Sequence, residues 1–342
     1  MVVDPPGVPA TGPATDPAVY AVPLRARFRG ASVREGVVWR GASGWAEFAP
    51  FADYDAAASV AWWRAAVEAA DVGWPAPVRD SVPVNCIVPA VAPDRASALV
   101  LSGHGCRTAK VKVAERGQSL TDDLARVEAV RAALGPGGRV RIDANGAWGV
   151  DEAVTALREL DRAAGGLEYV EQPCASVEDL ARVRRRTHVL VAADESIRRS
   201  DDPYRVRALD AADVVVLKVA PLGGVRACLE LAARIDLPVV VSSALETSVG
   251  LAAGLALAAA LPDLPYACGL GTATLLSRDL TAAPLVPVDG RLAVRTVEVD
   301  TDLLAAARAG GPVAERWTRR LAAVRALAAT DTVPPARQDQ GP

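Results

Sequence analysis

From Val84 onward the chain repeats one unit. Short, β-branched apolar runs alternate with Ala/Leu/Arg-rich stretches of helical period. The runs are Val84-Asn85-Cys86-Ile87-Val88, Ala109 to Val113, Val140 to Asp143, Glu168 to Glu171, Val189 to Ala192, Val214 to Val219, Val239 to Val241 and Tyr266 to Gly271. Strands that are apolar along their whole length are buried on both faces, as in a parallel sheet sheathed by helices. Eight such runs in about two hundred residues predict a β/α barrel.

Ahead of this repeat, residues 20–51 alternate apolar and polar side chains between Gly-containing turns, as in Val37-Val38-Trp39-Arg40 and Trp45-Ala46-Glu47-Phe48. They read as short antiparallel strands. Helical periodicity from Asp55 to Ala70 adds a helix. After the eighth run, Val286 to Leu292 reads as a hairpin-like return onto this N-terminal unit, and a last helix is expected over Val313 to Ala328. The fold class is therefore α/β, a (β/α)7β TIM-like barrel with an α+β capping domain built from both ends of the chain. The expected divisions are a flexible arm (1–18), a first capping part (19–81), the barrel (82–284), a second capping part (285–330) and a flexible tail (331–342).

Three lysines, Lys110, Lys112 and Lys218, stand against thirty-five arginines, each at or near the end of a predicted strand. A guanidinium stays protonated at any accessible pH, whereas a lysine can release its proton and act as a base. Lysines kept inside the fold thus suggest proton transfer. A net charge of −3 with scattered arginines offers nucleic acid no basic face, which leaves a small molecule as the expected partner. Five widely spaced cysteines, an odd number, fit reduced core thiols in the cytoplasm. The start of the chain lacks the order of a secretory signal, and its longest apolar run, Val249 to Leu261, is too short to cross a bilayer, so no membrane role is expected. Monomer and homodimer are equally compatible with the sequence.

In such barrels chemistry sits at the C-terminal ends of the strands. There the chain places Lys110-Val111-Lys112, Arg141-Ile142-Asp143-Ala144-Asn145, Glu171-Gln172-Pro173, Asp194-Glu195-Ser196 and Lys218, with successive separations of 31, 28, 23 and 24 residues along the series Lys112, Asp143, Glu171, Asp194, Lys218. Each interval is about one β/α repeat. Period two turns Lys110 and Lys112 into the barrel, and likewise Arg141 and Asp143. Asp143, Glu171 and Asp194, converging without Cys or His, describe an oxygen-ligand site for a hard cation, Mg²⁺ with Mn²⁺ as a possible substitute. Cationic neighbours should bring the pKa of Lys112 down toward the working pH. His104 and His188 each precede a strand, so they belong to the opposite face and are not expected to take part.

These motifs resemble the enolase superfamily in its muconate-lactonizing subgroup: Lys-x-Lys, Asp-x-Asn, Glu-Gln-Pro, Asp-Glu-Ser and Lys on successive strands. The likeness runs from about Tyr20 to Leu327. Within the subgroup, Ser242-Ser243-Ala244-Leu245-Glu246-Thr247-Ser248-Val249-Gly250 and Gly269-Leu270-Gly271-Thr272 resemble the o-succinylbenzoate synthases, while the Asp-x-Asp of dipeptide epimerases is missing from strand eight. The resemblance implies a lyase of menaquinone biosynthesis that dehydrates 2-succinyl-6-hydroxy-2,4-cyclohexadiene-1-carboxylate to 2-succinylbenzoate. It implies that Lys112 removes the α-proton and returns it to the departing hydroxyl, with Mg²⁺ on Asp143, Glu171 and Asp194 stabilising an enediolate. Lys110 would tune Lys112, and Lys218 would face the intermediate from the other side. Arg141, Asn145, Ser242, Ser243, Gly269, Leu270, Gly271 and Thr272 are the expected substrate contacts. An N-succinylamino acid racemase of the same superfamily is the alternative, since a base on each face of a carbon also suits 1,1-proton transfer.

Overall fold

The computed structural model describes residues 16–28, 30–200 and 202–330. Residues 1–15 of the expected arm and the tail at 331–342 lie outside them. The N-terminal unit is an antiparallel sheet of β1 (Ala18–Phe28), β2 (Ala31–Arg40) and β3 (Trp45–Phe48), followed by α1 (Val60–Val67). Alternation on β1 turns Tyr20 and Val22 inward, and Trp39 of β2 stacks on Trp63 of α1 with ring centroids 5.4 Å apart. The helix starts later than Asp55 because Asp55 is spent on turns. Its carboxylate accepts from the Ala58 N–H and its carbonyl from the Ser59 N–H. Beyond Val67 the helix widens into a π turn at Glu68–Val72.

β4 (Ser81–Pro83) leads into seven parallel strands that pair in sequence order. They are β5 (Cys86–Val88), β6 (Thr108–Lys112), β7 (Arg139–Asp143), β8 (Leu167–Glu171), β9 (Val191–Ala193), β10 (Val214–Leu217) and β11 (Val239–Val241). The connecting helices are α2 (Pro93–Leu101), α3 (Leu120–Leu134), α4 (Val150–Ala164), α5 (Val177–Arg184), the short α6 (Glu195–Arg198) and α7 (Arg205–Ala208), and α8 (Val225–Ile235); α9 (Ser248–Ala260) follows β11. Val111, Ile142, Val170, Val215 and Val241 face the helices in the main core. Tyr169, Ala192, Val214, Val216 and Val240 form a separate cluster inside the barrel. This is the parity that period two dictates.

The eighth run closes the ring with only two parallel bridges, Cys268 to Val84 and Gly269 to Ser242. A Cβ on Gly269 would lie 2.5 Å from Ser242 Oγ, and one on Gly271 would lie 2.7 Å from the Asn85 carbonyl oxygen. The chain therefore threads a gap between the first and seventh strands that admits glycine but no side chain. It then turns into a 3₁₀ segment, Gly271–Leu275.

The return segment forms β12 (Arg291–Ala293), followed by α10 (Thr301–Ala307) and α11 (Gly311–Thr330). β12 pairs outside the three-stranded N-terminal sheet. It pairs with β4, Leu292 opposite Val82, because β4 presents a free edge at the entry to the barrel, and the Val84 N–H donates to the Gly290 carbonyl at 2.9 Å. α11 lays Trp317, Leu321 and Val324 onto Trp39 and Phe48 of the capping unit. None of the described helices is long and apolar enough to cross a membrane.

Two capping-domain carboxylates terminate barrel helices. Glu68 accepts from the Val225 and Arg226 N–H groups (2.5 and 3.2 Å) at the start of α8. Glu47 accepts from the Thr247 and Gly250 N–H groups at 3.1 and 3.0 Å at the start of α9, and from the Tyr20 hydroxyl at 2.5 Å. A helix start leaves N–H donors without intrahelical partners, so acceptors supplied by another domain tie the two domains together. Burial pushes the Glu47 carboxyl up to about 7, against the pull of Arg34 and these donors. A folded-state value above the ordinary 4.5 means that the fold retains a proton the unfolded chain releases. The contribution of Glu47 to stability is thus fully present below pH 4.5 and is lost as pH rises through 7. Glu47→Gln cannot titrate. Calorimetry across this range should show the wild-type advantage over the variant shrinking, by on the order of 3 kcal/mol at most, then levelling off above pH 7. A constant difference would contradict this account.

Candidate active site

The C-terminal ends of β6 to β10 gather six charged side chains. In the barrel register Lys112, Asp143 and Glu171 form one row, with Lys110, Arg141 and Tyr169 in the row beneath. Asp194 directly follows β9, and Lys218 directly follows β10. All six of Lys110, Lys112, Asp143, Glu171, Asp194 and Lys218 are buried. Lys112 Nζ donates to Asp143 Oδ2 at 2.5 Å and to Asn145 Oδ1 at 2.7 Å. Lys110 Nζ donates to both Glu171 oxygens (2.9 and 2.8 Å) and to Asp143 Oδ2 at 3.2 Å. Lys218 Nζ donates to Asp194 Oδ2 at 2.6 Å. An unpaired buried charge costs several kcal/mol, so the three ammonium groups and three carboxylates stand as a neutral set.

The groups do not titrate alike. Burial disfavours charge on Asp143 and on Asp194, but Lys112 with Lys110 outweighs it for Asp143, and Lys218 with Arg198 for Asp194. Both carboxyls are held well below the ordinary range. Burial, together with the charges of Asp143 and Asp194, pushes Glu171 up to about 7 against Lys110. Burial opposes charge on Lys110, yet Glu171 and Asp143 hold its pKa above the usual lysine value. Burial lowers that of Lys218 despite Asp194. The charge nearest Lys112 is the Asp143 carboxylate, one of the three that stand among the lysines.

A narrow cavity opens above these pairs. Lys110, Lys112, Asp143, Asn145 and Lys218 line it, with Ser242, Ser243 and Thr272 from the seventh and eighth strand ends. The Ser243 and Thr272 hydroxyls are hydrogen-bonded at 2.7 Å. Ile87, Ala244 and Leu245 add apolar wall, and the capping domain contributes Phe28 and Phe51. The Phe28 ring centroid lies 5.5 Å from Lys112 Nζ. Sequence reasoning missed these apolar residues, although a signal existed: the chain has three phenylalanines, and two of them line this cavity.

Four expected substrate contacts lie elsewhere. Arg141 points inward but one row too deep. It is fully buried, is ion-paired with Glu168, donates to the Ala267 carbonyl at 2.6 Å and sits 4.6 Å over the Tyr169 ring. Period two gave its face and not its depth. Gly269 uses its N–H and carbonyl to close the barrel, donating to the Val241 carbonyl and accepting from the Ser243 N–H. Leu270 is buried in the main core, and Gly271 is pressed against Asn85. His104 and His188 lie toward the N-terminal side, where the His104 carbonyl accepts from the Gly290 N–H and the His188 ring, 79% exposed, meets Asp161.

The carboxylate set suits a hard divalent cation. It offers oxygen donors only, it is shielded from water, and burial together with the neighbouring Asp143 and Asp194 charges raises Glu171. Among the described residues no three Asp, Glu, His or Cys side chains already converge on one point. Lysine ammonium groups stand between the carboxylates, with Lys110 bridging Asp143 and Glu171.

Residues 94–298 match the Enolase C-terminal domain-like family, and residues 19–70 match the Enolase N-terminal domain-like family. An o-succinylbenzoate synthase of Thermobifida fusca is 64% identical over 307 residues, which covers 90% of this chain and 95% of that protein. One of Mycolicibacterium smegmatis is 53% identical over 309 residues, with 90% and 95% covered. Among solved structures, muconate lactonizing enzyme from Pseudomonas fluorescens superimposes with a TM-score of 0.73 at 22% identity, covering 86% of this chain and 98% of that one. The N-succinyl Arg/Lys racemase from Bacillus cereus gives 0.72 at 20%, covering 86% and 97%; both are likenesses of fold.

Arg141 carries the prediction from this geometry. Arg141→Ala would strip the buried Glu168 carboxylate of its interior partner and leave it only the exposed Arg139 at 2.9 Å, at a cost of up to about 3–5 kcal/mol. Denaturant unfolding should show that loss. A variant as stable as the wild type would refute the interior role.

Proposed function

This chain belongs to the enolase superfamily and, within it, to the o-succinylbenzoate synthases, and from that premise we propose which of its residues carry the dehydration. The substrate is 2-succinyl-6-hydroxy-2,4-cyclohexadiene-1-carboxylate and the product 2-succinylbenzoate, a carbon–oxygen lyase reaction that we assign to menaquinone biosynthesis. Membership of the superfamily implies a divalent cation. We take it to be Mg²⁺, replaceable by Mn²⁺, held by Asp143, Glu171 and Asp194. Bound there, it supplies positive charge to the substrate carboxylate, where loss of the neighbouring proton deposits negative charge.

The single observation that carries the residue roles is the opposition of two lysines across one cavity. Lys112 rises from the second strand of the ring and Lys218 follows the sixth, and in a ring of eight these are half a turn apart. A flat ring between them presents one face to each. Lys112, as the neutral amine, takes the proton from the carbon bearing the carboxylate. The C–H electron pair moves into the ring system. The C–O bond to the adjacent hydroxyl then breaks, and that hydroxyl leaves as water with the proton returned from Lys112. Asn145, which accepts from Lys112 Nζ at 2.7 Å, fixes the direction of the amine. Lys218 holds an ammonium against the electron-rich opposite face. Lys110, bound to Glu171 and Asp143, sets the field beneath Lys112. Ser242, Ser243 and Thr272 offer hydroxyls to substrate oxygens at the far wall.

The five cysteines are buried and unbridged, which accords with a reducing compartment, and we place the enzyme in the cytoplasm as a monomer or homodimer. Purified protein with Mg²⁺ should convert the cyclohexadiene to the aromatic product. No conversion, or racemisation of an N-succinyl amino acid in its place, would overturn the assignment. Lys112→Arg retains the charge but not the base, and should lower turnover about a thousandfold or more with the fold intact. Full turnover in that variant would remove Lys112 from its role.

A further inference from the structure

One side-chain path links the capping domain to the proposed cation site from outside the cavity lining. Asp194 is fully buried, and its two oxygens are divided between two cations. Oδ2 accepts from Lys218, while Oδ1 accepts from Arg198 Nε at 2.9 Å, four residues along α6. Arg198 is buried as well, and each of its three nitrogens has a separate partner. Nη2 donates to Glu195 Oε1 at 2.5 Å, and Nη1 donates to the hydroxyl of Tyr54. A planar guanidinium bound at three corners has a single orientation.

Tyr54 belongs to the loop between β3 and α1, and it is firmly seated. Its ring meets Trp62 edge to face at 5.5 Å, the guanidinium of Arg199 lies 4.7 Å from the ring centroid, and its carbonyl accepts from Arg320 of α11 at 2.7 Å. The path therefore runs from the last helix through the capping loop to Tyr54, Arg198 and Asp194. With Oδ1 held by Arg198, the oxygen that Asp194 presents to the rim is Oδ2.

We infer that Tyr54 and Arg198 are positioning residues through which the docked capping domain orients the Asp194 carboxylate for the divalent cation. This rests on Asp194 being a ligand, and outer partners of metal ligands characteristically change metal affinity by about ten- to a hundredfold when removed. Neither residue lines the cavity. Their effect should thus appear in cation binding itself, before any turnover.

The test is Mn²⁺ binding, measured as free Mn²⁺ by electron paramagnetic resonance on the full chain without substrate, alongside melting temperature. Tyr54→Phe keeps the ring on Trp62 and removes only the hydroxyl; it should weaken Mn²⁺ binding about three- to tenfold with little change in melting. Arg198→Met should weaken it by about tenfold or more. Arg198→Lys, which keeps the charge without the fork, should fall between the wild type and Arg198→Met. If folded Tyr54→Phe and Arg198→Lys both bind Mn²⁺ within threefold of the wild type, whatever their melting temperatures, the relay is refuted and the pair is only structural. If the wild type itself fails to bind Mn²⁺, the carboxylate site falls with it, a separate and distinguishable outcome.

Discussion

The pairing of three buried ammonium groups with three buried carboxylates is the interaction on which the rest of the site depends. Removing six charges from water is tolerable only when each has a partner at hydrogen-bond distance, and the parallel register of β6, β7 and β8 provides this by setting Lys112, Asp143 and Glu171 in one row. A slip of one residue on any of these strands would turn its charges into the apolar helix layer.

Much of this was legible in the sequence, for physical reasons. Continuous apolar strands at regular intervals announce a sheet covered on both faces, and parity along a strand decides which side chains enter the barrel. Lys110, Lys112, Asp143, Glu171, Asp194 and Lys218 could therefore be named before any coordinates. Depth could not. Arg141 shares the parity of Asp143 but lies a row lower, where it serves the interior with Glu168 and Tyr169. Strand eight read as an ordinary strand because hydropathy does not reveal that Gly269 and Gly271 pass through a gap with no space for a Cβ. Contacts between distant segments left no local trace: Glu47 and Glu68 read as ordinary acidic residues of a strand and a helix.

Those two glutamates explain why the capping domain is more than a lid. They terminate α8 and α9, the helices that follow the strands leading to Lys218 and to Ser242 and Ser243. Beside them Arg34 donates to the carbonyls of Leu245, at 2.9 Å, and Ala244, holding a loop in which Leu245 takes the left-handed value φ 64° that non-glycine residues seldom adopt. The wall of the cavity is thus shaped partly from outside the barrel. The residues that dock the capping domain also support the segments that line the cavity.

The scarcity of lysine has a practical side. Because the 342-residue chain has no lysine beyond Lys110, Lys112 and Lys218, a sample enriched with nitrogen-15 only at the lysine side chains would give three ε-nitrogen resonances, all from the rim of the barrel. A protein of this size ordinarily buries such signals under those of its surface. Here the surface is silent at that frequency, and the proton inventory of the site could be followed by nuclear magnetic resonance without assigning anything else.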